Sequence, residues 1–271
     1  MKFNKNKIYK NAWVIAVLII IILILISITL YSGVFPPASV VESYSMEHSN
    51  KWQYGIIDEG TIVFVKKATR INEIKTYVNG KESNYKSYGE FGNVILYHDY
   101  NNGKIIIHRA MFYLYWNNSI PEILGYHNQS YITVNKNFIL MKDVGYAHRN
   151  LIVNISGFKN DSGFITVGDH NLACLPDYSP YYNKTYNAYY ASDQFLFHLK
   201  PVKLSDIVGI AYGYIPWYGL IKLNIMRAEG KWPVEYADHV PEYSYAGLFI
   251  SLAAILTLLL FPYKKLFNKN R

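Results

Sequence analysis

One cysteine, Cys174, is all that 271 residues contain, so no internal disulfide can hold this chain together. Stability has to come from a packed core or from a bilayer. Acidic residues are missing from both ends: no Asp or Glu occurs in 1–41 or 262–271, where Lys2, Lys5, Lys7, Lys10, Lys264, Lys265, Lys269 and Arg271 lie. Those eight positives equal the whole net charge of +8, which leaves the middle of the chain neutral. A nucleic-acid partner is therefore not expected. The eight histidines show neither an H-E-x-x-H spacing nor a Cys/His cluster, and no glycine-rich loop opens a helix. Neither a metal site nor a phosphate cradle is expected, and no cofactor.

What borders the basic ends explains them. The run AWVIAVLIIIILILISITL, Ala12 to Leu30, is uncharged and about long enough to cross a hydrocarbon core. A cleaved signal peptide would carry a shorter apolar stretch, roughly 7–15 residues, followed by a small-residue cleavage site. This run leads instead into Pro36-Pro37. A second apolar run, Tyr245 to Phe261, ends at Pro262 and the second basic cluster. The expected division is a basic tail 1–11, a signal-anchor helix 12–31, an outer domain 32–243, a second spanning helix 244–262 and a basic tail 263–271. Lys and Arg beside a span favour the cytoplasm, so both termini are expected there, with the middle outside a cell membrane crossed twice. Five N-x-S/T sequons, at Asn117, Asn128, Asn154, Asn160 and Asn183, all fall in that middle segment.

The outer domain reads as antiparallel β-sheet. Runs rich in Val, Ile, Tyr and Phe recur at 61–67, 93–98, 104–116, 129–135, 151–155, 163–168 and 206–215, separated by Gly, Asn, Asp and Ser clusters. No strongly amphipathic helix stands out between the spans, so the expected fold class is mainly β. The tyrosine-rich stretch 175–190 reads as a loop excursion. Asp58-Glu59 reads as a turn rather than a paired acid site, since adjacent strand residues face opposite ways. Gly213, Pro216 and Gly219 read as backbone-shaping positions. Trp52, Trp116 and Trp217 are either ordinary core or an apolar lip resting on lipid.

Four blocks in this outer domain carry chemistry when taken together. VESYSMEHS (41–49) resembles the S-x-S-M-x-P block of type I signal peptidases, and KIIIHRAMFYL (104–114) resembles their base-bearing block, which has histidine in the archaeal and endoplasmic-reticulum enzymes. FITVGDHNLACLPD (164–177) is similar to the G-D-x-N block with its further aspartate, and IVGIAYGYIPWYGLIKL (207–223) to the closing G-x-x-x-G-Y-I-P-x-x-G block. The resemblance spans 41–223 in the family's order, behind an N-terminal anchor. It departs at Tyr44, where the family has Gly, at His48, where it often has Pro, and in a longer spacing from Asp169 to the next aspartate.

The resemblance implies a Ser-His-Asp membrane serine endopeptidase that removes signal peptides from secretory preproteins, cutting after small residues beside the translocon. Ser45 would be the nucleophile and His108 the general base. Ser43 would give its hydroxyl to the oxyanion, with Met46 beside it at the substrate. Asp177 would orient His108, with Asp169 as the substitute. Without the blocks, His108 reads as a core histidine closing an apolar strand, and His48 and His148 are its rivals. The competing function is a catalytically silent membrane-tethered β-domain that binds a surface partner. It expects Ser45 and His108 to lie far apart.

Overall fold

A computed structural model describes residues 5–260 of the chain. After α1 (Lys5–Ser32) come β1 (Ala38–Val40), β2 (Ile62–Lys66), α2 (Tyr77–Ser83) and a short hairpin, β3 (Lys86–Ser87) with β4 (Glu90–Phe91). The chain continues as β5 (Val94–Asp99), β6 (Lys104–Asn117), β7 (Ile120–Ile123), β8 (Ile132–Val134), β9 (Phe138–Val144), β10 (Arg149–Asn154) and β11 (Gly163–Val167). Then follow α3 (Asp169–Cys174), β12 (Tyr182–Asn183), β13 (Ala188–Tyr189), α4 (Asp193–Leu196), β14 (Ile207–Ile215), α5 (Gly219–Ala228), α6 (Val234–Asp238) and α7 (Ser244–Leu260).

One sheet runs β1-β2-β14-β5-β6-β11 with β7 paired to β6, and every pairing in it is antiparallel. A second sheet runs β12-β13-β10-β9-β8. The two share the largest core: Phe112 and Leu114 of β6 and Ile165 of β11 cluster with Ile139 and Met141 of β9 and Leu151 of β10. A smaller cluster, with Val41, Met46, Ile57, Val63, Val65 and Leu96, lies under the segment that carries Ser45.

The β5–β6 register decides which side chains reach that segment. Ile95 pairs with His108 and Tyr97 with Ile106, and the two-residue period of a strand puts these four on one face. Val94 pairs with Arg109 and belongs to the opposite face. Adjacent residues of β6 therefore send a base one way and a cation the other.

The mainly β expectation is corrected: helix (31%) and strand (30%) are held in equal share. Much of the helix lies in α1 and α7, and the rest includes α5, where Leu220 and Leu223 are buried at three-residue helical spacing. Of the two expected spans, among the described residues only Ile15–Ser32 is long and apolar enough to cross a membrane by length and composition; α7 is a shorter apolar helix. Residues 261 and 262 of the second expected span, and the tail 263–271, lie outside the described residues. The end of α1 is tied to the sheet, since Ser32 Oγ donates to Val65 O at 2.5 Å and Lys67 N to Ser32 O at 2.8 Å. Gly219 allows a close approach of the same kind, its N–H donating to Gly60 O at 2.8 Å. Gly213 sits at the register shift of β14.

Packing outweighs helix propensity at Gly80 in α2. Glycine to alanine inside a helix ordinarily gains about 1 kcal/mol. A Cβ at Gly80 would lie 2.4 Å from Gly92 N and 2.9 Å from Tyr85 O, both backbone atoms. Gly80→Ala is expected to destabilise the domain, read as a lowered urea midpoint at unchanged slope.

Candidate active site

Ser45 stands in the turn after Val41, whose N–H bonds to Thr61 O at 2.9 Å and whose carbonyl accepts from Gly60 N at 3.0 Å. His108 Nε2 lies 2.8 Å from Ser45 Oγ, and His108 Nδ1 lies 2.8 Å from both carboxylate oxygens of Asp193. The tautomer that satisfies all three groups carries its proton on Nδ1, donated to Asp193, and leaves Nε2 to accept from the Ser45 hydroxyl. His108 is 2% exposed and Asp193 fully buried, whereas Ser45 is half-buried. Ser43 Oγ lies 3.3 Å from Ser45 Oγ. Among the described residues the Ser45 N–H has no acceptor, so it and the Ser43 hydroxyl are two donors beside the nucleophile. A serine polarised by a neutral imidazole that a buried carboxylate orients can attack a carbonyl carbon.

Asp193 replaces both acids expected from sequence. Asp177 is exposed, and its carboxylate accepts from Tyr189 OH at 2.6 Å. Asp169 is buried, but Arg109, on the opposite face of β6 from His108, claims it: Nε donates to Oδ1 at 2.8 Å and Nη2 to Oδ2 at 2.6 Å. Burial opposes its ionisation, yet Arg109 and His48 outweigh that and hold its pKa down at about 2. Met46 is corrected too, because at 1% exposure it fills the core beneath the loop rather than meeting a substrate. Of the rival bases, His48 is bound to Asp169 at 2.9 Å, and His148 pairs with Asp143 at 2.8 Å on an exposed turn.

Asp169 still shapes the site through the backbone. It opens α3, whose His170 N–H donates to Ser45 O at 3.0 Å, and Gly168 packs directly on the reacting pair. A Cβ at Gly168 would lie 2.6 Å from Ser45 O and 2.9 Å from His108 Nε2. The residue has an ordinary φ of −74°, so space alone requires glycine there.

Below the loop lie three carboxyls that pair with no lysine or arginine among the described residues. Glu47, Asp58 and Glu59 are 3%, 2% and 1% exposed, and both carboxylate oxygens of Glu59 lack any hydrogen-bond partner. Asp58-Glu59 does form the expected turn before β2, but a buried one. Burial raises Glu47 to about 8 and Asp58 to about 7; burial and the two neighbouring carboxyls raise Glu59 to about 9.

Among the described residues no group of His, Cys, Asp and Glu is arranged to hold a metal ion. No protein-family model matches the chain, and no curated protein matches it.

Two outcomes follow from this geometry. Gly168→Ala should leave the fold intact by circular dichroism but push Ser45 and His108 apart, and if the pair is hydrolytic, turnover should fall by about 100-fold or more, the cost of an ångström-scale misplacement of reacting groups. Carboxyls raised in the folded state stabilise it fully below their unfolded pKa values near 4–4.5 and lose that contribution as pH rises through about 7 to 9. The urea midpoint should therefore fall between pH 5 and pH 9, and Glu59→Gln should flatten that fall.

Proposed function

We propose that this chain is a membrane-anchored serine endopeptidase with a Ser45-His108-Asp193 triad. The contact of Ser45 Oγ with His108 Nε2 at 2.8 Å, with Asp193 at 2.8 Å behind it, carries the reading. The silent binding domain expected the two side chains far apart, so it is the weaker reading.

Within that class the chain is proposed to be a type I signal peptidase of the archaeal and endoplasmic-reticulum kind, acting on secretory preproteins. Three of the four resemblance blocks supply the nucleophile, the base and the Gly168-Asp169 wall beside them, and the fourth includes β14. A signal peptide presents its scissile bond just outside an apolar segment in the bilayer. The tie between Ser32 and β2 fixes the anchor to the same sheet that carries the site, which suits such a substrate. Phe35 and Tyr54, each 87% exposed, supply apolar surface on the segments between α1 and β2. The finer topology belongs to the proposal as well: α7 as a second span, both termini cytoplasmic and the β-rich part, a signal-peptidase-like antiparallel domain, outside.

In the proposed reaction Ser45 Oγ attacks the substrate carbonyl carbon while its proton passes to His108 Nε2. Asp193 stabilises the imidazolium, and the Ser45 N–H and Ser43 hydroxyl receive the oxyanion, each donor worth about 3–4 kcal/mol where such donors have been removed. His108 then protonates the leaving amine. Water, deprotonated by the same imidazole, hydrolyses the ester.

The test is cleavage of a preprotein by the detergent-solubilised protein, with the cut located by mass spectrometry. Ser45→Ala and His108→Ala should abolish a cut made after a small residue. Asp193→Asn should lower kcat about 10⁴-fold, as when a triad aspartate loses control of the tautomer. Asp177→Ala should cleave like the wild type. A folded wild type that cuts nothing, or an active Ser45→Ala, sinks the reading.

A further inference from the structure

Behind the triad, on the side away from any substrate, lies a hydroxyl that the proposed reaction does not use. Tyr97 OH donates to Asp193 Oδ2 at 2.6 Å and accepts from Thr166 Oγ1 at 3.1 Å. Tyr97 is 1% exposed and Thr166 fully buried. Their placement follows from the sheet. Tyr97 shares a face of β5 with Ile95, the residue paired to His108, and Thr166 follows the register shift in β11. That shift leaves Thr166 N–H facing Gln194 Oε1 at 3.3 Å, so the residue after Asp193 is held to the strand that supplies the second hydroxyl.

Resting on the hydrolase reading, we infer that Tyr97, backed by Thr166, is a positioning residue that fixes the Asp193 carboxylate and thereby sets how tightly His108 holds a proton. Asp193 faces two donors, His108 Nδ1–H and Tyr97 OH. Each takes part of its charge. Without the phenol, more of that charge falls on the imidazolium, so His108 should bind its proton more tightly. Burial, then Asp193 itself, raises the Tyr97 phenol well above its ordinary pKa, so it remains a donor throughout the working range. The other groups at hand do not substitute for it. Asp99, beyond Tyr97 on β5, is an acid whose charge acts on the phenol in the same direction. Arg109 is committed to Asp169 across the sheet, Ser45 meets the other imidazole nitrogen, and Phe197 stacks on the imidazole ring at 6.1 Å without a charge.

The alternative is that Tyr97 only fills the core, where it clusters with Ile95, Phe164 and Val202. Tyr97→Phe keeps that packing and removes only the hydroxyl, so it separates the two roles. The measurement is the pH titration of His108 by NMR in ¹⁵N-histidine-labelled, detergent-solubilised protein, assigned with His108→Gln. It needs no substrate. We expect the His108 titration to move up by about half to one pH unit in Tyr97→Phe, with kcat for preprotein cleavage down about tenfold at little change in KM. The acidic limb of kcat/KM should move with the titration. Thr166→Val should shift both the same way by less. A Tyr97→Phe protein that melts like the wild type and titrates like it overturns the inference. If His108 shifts as expected while the wild type cleaves no preprotein, the peptidase reading has failed and the positioning role stands.

Discussion

The Arg109–Asp169 ion pair is the contact around which the loop bearing Ser45 is organised. A guanidinium at 1% exposure would be prohibitive alone, since an unpaired buried charge costs several kcal/mol. Here its donors are met: two bonds go to Asp169, and Nη1 reaches Ser87 O at 2.9 Å and Gly92 O at 3.0 Å. The same side chain thus holds the β3–β4 hairpin, the start of α3 and, through His170 N–H, the carbonyl of Ser45. His48 adds a donor to Asp169 from the far end of the nucleophile turn. Loss of either partner would free all of these at once.

The opposite solution is found below the loop. Among the described residues Glu47, Asp58 and Glu59 pair with no lysine or arginine, and burial favours their neutral forms. That choice suits what happens above. In the proposed reaction an oxyanion at Ser45 would be opposed by nearby negative charge, and opposed strongly where the surroundings are apolar. Carboxyls that keep their protons add no such field, and Asp169, which stays ionised, is neutralised by Arg109. The remaining carboxylate beside the Ser45–His108 pair is Asp193, which in the proposed reaction would stabilise the imidazolium.

Much of this was legible in the chain, and what was not has a physical reason. Runs such as 104–116 carry enough Ile, Phe and Tyr to declare a strand, and β6 spans Lys104–Asn117. Ser45, Ser43 and His108 come together as the motif blocks suggest, because each block is local and its side chain is aimed by one turn or one strand. The helices α5 and α6 were hidden because their buried residues are few: α5 buries only Gly219, Leu220 and Leu223, and α6 buries none. Met46 looked like a substrate contact because it adjoins Ser45, yet the turn sends the two side chains to opposite sides.

Asp193 lies outside all four motif blocks, between the one that ends at Asp177 and the one that begins at Ile207. Motif spacing favours an acid close to Gly168-Asp169, which Asp177 satisfies in one dimension. An acid that orients a buried imidazole must itself be buried and reach Nδ1, and the tyrosine-rich excursion carries Asp177 out to solvent before the chain returns. Where it returns, Ser192 bridges to Val167 at the end of β11, next to the Gly168 that packs on Ser45. Ala191, Ser192 and Asp193 are all buried there, the two small residues leading the acid into the core. The acid is thus specified by where the chain re-enters the core rather than by its distance from the motif, a property of the sheet's pairing that no local pattern encodes.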